Sequence, residues 1–141
     1  DYRYDYLCVE PKIVWAPSVF FEAEYKATVS CVGGGIGEDT SLDPLWEVAQ
    51  RLTLSLEFHD TEFRLSGEHF YNDLSKNQHL NIWLADVSLI HKAGKWRFAA
   101  SAINLFNKEQ YRYTLYSAVQ SYTSWIKLRP REFMVSVQYQ W

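Results

Sequence analysis

The side chains that could do acid–base or metal chemistry are spread along the chain and are not grouped. The histidines share none of the spacings that hold a metal ion; they are His59, His69, His79 and His91. The carboxylates fall with basic residues on one predicted strand face, as in a cross-strand charge ladder: Glu22, Glu24, Glu47, Glu57 and Glu68 with Lys12, Lys26, Arg51 and Arg64. No nucleophile–base motif is present. The sequence therefore predicts no enzyme, no metal site and no cofactor.

Flat aromatic rings are concentrated in the longest segment between predicted strands, residues 106–130. Such rings offer stacking area at low conformational cost, so they could bind a sugar or an aromatic metal chelate. The residues concerned are Tyr111, Tyr113, Tyr116, Tyr122 and Trp125. The alternative role, which the pattern favours, is an aromatic belt at a membrane interface together with extension of the flanking strands. Ligand binding by these rings is the one site that the sequence suggests.

Composition excludes several classes of protein. The 141 residues carry a net charge of −3 and a pI of about 5.8, so no basic surface indicates a nucleic-acid partner. Mean hydropathy is −0.29 and no run of 18 apolar residues occurs, which excludes a transmembrane helix. No signal peptide opens the chain, so we expect that one was cleaved or that the chain is a piece of something longer. Cys8 and Cys31 fall on opposite faces of neighbouring predicted strands, and we expect free thiols.

The elements that must position these residues are strands, because apolar and polar residues alternate with period two. The last eleven residues are the clearest case: one face carries Phe133, Val135, Val137, Tyr139 and Trp141. The seven predicted strands cover about residues 6–15, 20–31, 46–58, 63–71, 82–90, 96–103 and 131–141. Short turns are predicted at 16–18, 60–61 and 91–94, and long outer loops at 33–44, 72–79 and 106–130. We expect an antiparallel up-and-down sheet.

The apolar strand faces carry no Asp, Glu, Lys or Arg, and their rings lie at strand ends. Trp46 and Phe58 are twelve residues apart, which at about 3.3 Å per residue and a 45° tilt is roughly 28 Å. This length is close to the apolar band of about 25 Å between the aromatic girdles of outer-membrane barrels. The predicted turn lengths also keep the apolar residues on one side of the sheet. The pattern indicates a transmembrane β-barrel segment.

Two stretches carry a resemblance to a known family. The penultimate predicted strand ends in SAINLFNKEQYRY and the last stretch is LRPREFMVSVQYQW. Together they resemble the last hairpin of TonB-dependent outer-membrane receptors, which carry an Asn-Leu-Phe-Asn-Lys run near the outer end of the penultimate strand and finish on an aromatic residue. Here those positions are Asn104–Lys108 and Trp141. EPKIVWAPSVFFEAEY, near the start, is similar to another barrel hairpin of the family.

The resemblance implies that residues 1–141 are the C-terminal portion of a barrel of about 22 strands, without the plug domain. It implies a location in the bacterial outer membrane and a role as barrel wall and outer loops during uptake of a scarce nutrient, such as a metal chelate or a glycan. The implied partners are the bilayer, the N-terminal barrel and plug of the same receptor, the TonB protein that acts through that plug, and the barrel-insertion machinery. The assembly signal for that machinery would be Phe133, Val135, Val137, Tyr139 and Trp141.

Two alternatives of other classes stay open. One is a soluble β-barrel that binds a small ligand, with its apolar face inside. The other is a small structural outer-membrane barrel with no transport role. A soluble barrel would stay monomeric in buffer without detergent, which distinguishes the first alternative from a membrane barrel. The length of the complete gene distinguishes a small structural barrel from a receptor.

Overall fold

A computed structural model describes the backbone of residues 2–36, 40–75, 78–116 and 121–141, and the side chains of residues 4–35, 43–73, 79–110 and 122–141. These residues form ten strands: β1 (Tyr2–Val9), β2 (Lys12–Ser18), β3 (Phe21–Ile36), β4 (Thr40–Phe58), β5 (Thr61–Ser75), β6 (Gln78–Ala93), β7 (Trp96–Ile103), β8 (Gln110–Tyr116), β9 (Ser121–Lys127) and β10 (Glu132–Tyr139). Among the residues described, no helix is long and apolar enough to cross a membrane.

The main sheet is antiparallel, with the strand order β1-β3-β4-β5-β6-β7-β10, and β2 pairs with β3 beside β1. Strands that follow each other in the chain lie side by side, except that β1 and β2 both pair with one edge of β3 and that β8 and β9 form a separate two-stranded sheet. The predicted all-β, antiparallel, up-and-down fold is confirmed. In the described part of the chain β10 pairs with β7 alone and β1 and β2 with β3 alone, so the sheet is open at both edges.

The first predicted strand is present but is divided in two. Val9 lies opposite Val29 and Lys12 opposite Lys26, so β1 and β2 keep one register along the same edge of β3. The division falls at Pro11, which has no N–H for a ladder bond. Its carbonyl oxygen still accepts a hydrogen bond from the Ala27 backbone N–H at 3.0 Å. β1 and β2 therefore act as one long edge strand.

The three short turns lie near the predicted positions: the first and third are tighter than predicted, and the second has the predicted two residues one position earlier. Each has two residues: Val19-Phe20, His59-Asp60 and Gly94-Lys95. His59 and Gly94, the first residue of their turns, have φ values of 52° and 60°, a conformation typical of two-residue hairpin loops. The predicted turn at 16–18 was wrong, because a register shift between Trp15 and Ser18 continues the strand there. Trp15 pairs with Ala23 and so lies on the same face as Phe21, and the Trp15 and Phe21 rings meet edge to face at 5.5 Å.

The three predicted long loops were wrong as loops. β3 and β4 extend through most of residues 33–44, and β5 and β6 through most of 72–79. Gly33 to Gly35 pair with β1 on one side, and Gly34 and Gly35 pair with β4 on the other. Neighbouring strands offer hydrogen-bond partners to every backbone group, so pairing continues where side-chain alternation has ended. Within 106–130, β8 and β9 pair with each other and do not lengthen β7 and β10.

Register aligns the apolar residues of all the long strands into rows across the sheet. The central row, with one residue from each of seven neighbouring strands, is Trp15, Ala23, Leu54, Leu65, Val87, Ala102 and Phe133. We call the side with these residues the apolar face and the opposite side the polar face. The sheet is a single layer: the apolar side chains buried within the described residues are those of Ala27, Ile82 and Ala102. Stability of the apolar face therefore depends on what covers it.

Candidate ligand-binding site

The five aromatic residues predicted to bind ligand come together in the β8–β9 hairpin. Its register places Tyr111 opposite Ile126 and Arg112 opposite Trp125. Because residues alternate along both strands, the hairpin has two faces of different composition. One contains the positions of Tyr111, Tyr113 and Tyr122, and the other contains those of Tyr116 and Trp125.

Ring positions are defined for two of the five residues. Tyr122 and Trp125 are exposed, at 61% and 63% of their surface. The side chains of Tyr111, Tyr113 and Tyr116 lie outside the described side chains. Division over two faces means that the five aromatic residues do not make a single stacking surface.

Asn104 holds together the two ends of this hairpin, the segments around Lys108 and Arg129, which we call the hairpin root. Its side chain is buried, and its Nδ2 donates to the carbonyl oxygens of Lys108 at 2.8 Å and Arg129 at 2.7 Å. Its Oδ1 accepts from the Lys108 N–H at 2.9 Å, and its own backbone N–H donates to Asp86 Oδ1 at 2.8 Å. The residue thus links β6, the end of β7 and the segment that returns from β9.

The Asn-Leu-Phe-Asn-Lys run has a conformational reason as well. Asn104 and Asn107 have φ values of 53° and 51°, in the left-handed region that Asn tolerates better than most residues. Asn107 N–H donates to the Asn104 carbonyl at 2.8 Å, and its Oδ1 accepts from the Arg131 N–H at 3.0 Å. Leu105 N–H donates to the Ala85 carbonyl at 2.8 Å. Two asparagines three positions apart therefore turn the chain away from β7 while binding it to β6.

A cavity of about 190 Å³ lies between this root and the polar face of the main sheet. Its floor is formed by β5 and β6 and its wall by the segment that returns from β9. The lining residues are Ser66, Glu68, Leu84, Ala85, Asp86, Ile103, Asn104, Leu128 and Arg129. Apolar side chains provide most of the surface, and two carboxylates, a hydroxyl, an amide and a guanidinium provide the polar groups. This composition suits a small ligand with an apolar body and a few polar groups.

Ion pairs join several charged side chains of the polar face, and one of them includes the cavity residue Glu68. Glu68 pairs with Arg51 on the neighbouring strand. Glu24 accepts from Lys12 at 3.0 Å and from Lys26 at 2.7 Å. The predicted charge ladder is present for these residues, and Arg64 pairs with Glu62 at 3.1 Å, a partner that the sequence pattern did not single out.

The stripe predicted as an assembly signal continues the apolar face. Phe133 lies opposite Ala102, and Val135 opposite Ala100. Val135 is 80% exposed at the open edge of the sheet. Tyr139 contacts Trp96, with ring centroids 4.9 Å apart, and also Trp141 at 5.5 Å. These contacts gather aromatic rings at the end of the sheet that has the short turns.

Other reactive groups do not gather in the described residues. No group of three or more His, Cys, Asp or Glu side chains there could hold a metal ion. Cys8 and Cys31 are free; Leu7 lies opposite Cys31, which sets Cys8 one position away and on the other face, as predicted.

Comparisons with protein-family models, with curated proteins and with solved structures gave no match to this chain.

Sequence analysis missed Asn104 and Asp86 as site residues. Their signal was the Asn-Leu-Phe-Asn-Lys run, which served only as a mark of family resemblance. The cavity could not be foreseen, because it depends on the hairpin crossing the polar face, and strand periodicity does not determine where a hairpin lies.

Proposed function

We propose that this chain forms part of the barrel wall, and a ligand-contacting hairpin, of a TonB-dependent outer-membrane receptor. The observation that carries the proposal is the central apolar row, which crosses seven neighbouring strands without a polar residue. A single-layer sheet with such a face requires a large apolar partner, and a bilayer is one. The polar face, with its ion pairs, would then line the lumen.

The position of the hairpin root supports this orientation. The cavity below Asn104 opens on the polar face, next to Ser66 and Glu68. If the apolar face lined the inside of a soluble barrel, the hairpin and its cavity would lie on the outer surface. With the apolar face toward lipid, both lie inside, where a ligand passes. Uptake would depend on the plug and on the TonB protein, and these 141 residues alone would neither transport nor catalyse.

Membrane insertion is tested on the complete natural chain, expressed in bacteria. We expect it in outer-membrane fractions, with an electrophoretic mobility that changes on heating, as is typical of intact membrane barrels. A chain that stays monomeric and folded in buffer without detergent would instead support the soluble ligand-binding barrel.

Ligand contact is tested by comparing the two faces of the hairpin in the same complete chain. One variant changes Tyr111, Tyr113 and Tyr122 to Ala, and the matched variant changes Tyr116 and Trp125 to Ala. We expect one variant to weaken substrate binding at least tenfold and the other to have little effect, with assembly of both unchanged. Equal affinity of both variants and the parent would assign the rings to an interface belt.

A further inference from the structure

Four polar side chains form a hydrogen-bonded chain on the apolar face. The Tyr25 hydroxyl donates to Gln50 Oε1 at 2.8 Å, and Gln50 Nε2 lies 3.1 Å from His69 Nδ1. His69 Nε2 lies 3.0 Å from Asn81 Oδ1, and the Trp83 ring stacks on His69 with centroids 4.2 Å apart. An amide nitrogen donates, so Nδ1 accepts and the ring proton is on Nε2. These five residues, the outer polar belt, come from the four neighbouring strands β3 to β6.

The belt divides the apolar face into two zones. The belt runs obliquely, with Tyr25 opposite Leu52. On the side of the short turns the face continues in the rows of Leu52, Leu54 and Leu56, where Tyr25 is the one belt residue. On the other side the face includes a carboxylate: Asp73 accepts from the Trp46 backbone N–H at 2.9 Å and from the Tyr71 hydroxyl at 2.7 Å. A carboxylate is costly in hydrocarbon. The level of Trp46 therefore does not suit the lipid interior.

Distances along the strands agree with this division. From Trp83 in the belt to Ala93, which lies opposite Trp96, β6 advances ten residues. At about 3.3 Å per residue and a 45° tilt this is roughly 23 Å, against an apolar band of about 25 Å. Trp96 and Tyr139 would then form the aromatic girdle at the other boundary. If the boundary lay at Trp46 and not at the belt residue Gln50, the apolar band would be four residues longer along β4.

We propose that the outer polar belt marks the outer boundary of the bilayer on this protein and binds the polar headgroup region of lipids. The inference rests on the proposed membrane location. Most of the donors and acceptors in the belt satisfy one another, which lowers the cost of placing them beside lipid. Trp83 is 54% exposed and Asn81 is also exposed, and indole and amide N–H groups are donors that suit headgroup oxygens. The strand ends beyond the belt then stand in water.

Spin labelling of the complete chain, reconstituted in phospholipid vesicles after Cys8 and Cys31 are changed to Ser, tests the boundary. Single cysteines at Leu54, Leu52 and Val48 carry the label. We expect Leu54 and Leu52 to be more accessible to oxygen, which concentrates in lipid, and Val48 to be more accessible to an aqueous nickel chelate. A Val48 label with the lipid-like accessibility of Leu52 would overturn the proposal, by moving the boundary to Trp46. If no label favours oxygen, the membrane location itself is wrong.

The role of the belt is tested with the double variant Gln50→Leu, His69→Leu. Removing the polar chain extends the apolar surface, so the Val48 label should change from nickel-accessible to oxygen-accessible. An unchanged Val48 label in the refolded variant would show that these side chains do not set the boundary. Heat-dependent electrophoretic mobility of the same sample shows whether the double variant has folded. If it has not, the labels on the parent protein still test the position of the boundary.

Discussion

The two faces of the main sheet belong to the same strands and differ in what their side chains interact with. On the polar face, Glu68 meets Arg51 and Glu24 meets two lysines, so the charges are balanced inside the chain. On the apolar face, Leu54 lies between Ala23 and Leu65 in a row of apolar residues. The polar face pairs several of its charges within the chain, whereas the apolar face depends on an environment outside these residues. Substitutions should therefore have effects that depend on the face and not on the strand.

The largest difference is expected in the central row. Leu54→Arg places a charge in the middle of the apolar face and should reduce the stability of the barrel in bilayers by about 2–4 kcal/mol. Ser55→Arg, on the polar face of the same strand, should reduce it much less. Folding titrations of both variants into liposomes measure the difference. Equal losses would mean that the two faces were assigned wrongly.

A substitution at the hairpin root sharpens the comparison by removing bonds from the polar side alone. Asn104→Ala loses three side-chain hydrogen bonds and places alanine at φ 53°, which together should cost about 2–3 kcal/mol. Amide hydrogen exchange at Leu128 and Arg131 should become faster. Asn104→Gly removes the same bonds without strain, so it should fall between alanine and the parent. Unchanged exchange in both variants would contradict the role of Asn104.

An ion pair should matter less than either. Glu68→Gln removes the partner of Arg51 at a half-exposed site, where such pairs contribute about 1 kcal/mol or less. Urea titrations at low and high salt should show the loss shrinking as salt screens the pair in the parent. Glu47→Gln, on the same face of the neighbouring strand β4, controls for the change of net charge. A loss that is the same in high salt would argue against an electrostatic origin.

The smallest effect is expected at Gly67, on the apolar face between Leu52 and Ala85. A Cβ added there meets nothing within 4 Å, so Gly67→Ala should stabilise the strand by about 0.5–1 kcal/mol. Gly94→Ala also has open space, but φ is +60° there, so the same change should destabilise the turn. Thermal unfolding of the two variants in detergent gives the signs. Destabilisation at Gly67 would indicate that another group already occupies this part of the apolar face.

The fold was predictable from sequence where apolar and polar side chains alternate between the two faces of a strand. Alternation through Leu52, Leu54 and Leu56 predicted β4 and its apolar side, and the register confirms both. Strand ends were not predictable, because Gly33 to Gly35 extend β3 through backbone bonds that leave no side-chain pattern. The aromatic residues of the hairpin were found from composition, but their division over two faces depends on the β8–β9 register. The outer polar belt joins residues from four strands, and no single stretch of sequence contains it.

The β8–β9 hairpin lies in the chain between the paired strands β7 and β10, and this has a consequence for the order of folding. Ile103 pairs with Glu132 across 28 intervening residues, whereas the neighbouring hairpins close over two. Closing the longer loop is entropically less favourable by about 2 kcal/mol if the segment is unstructured. When β8 and β9 pair first, the Leu128 N–H reaches the Glu109 carbonyl at 3.0 Å, and only short connections to Asn104 and Glu132 remain free. We therefore expect the β8–β9 hairpin to form before β10 pairs with β7. The preformed hairpin shortens the loop to be closed and so should make this pairing faster.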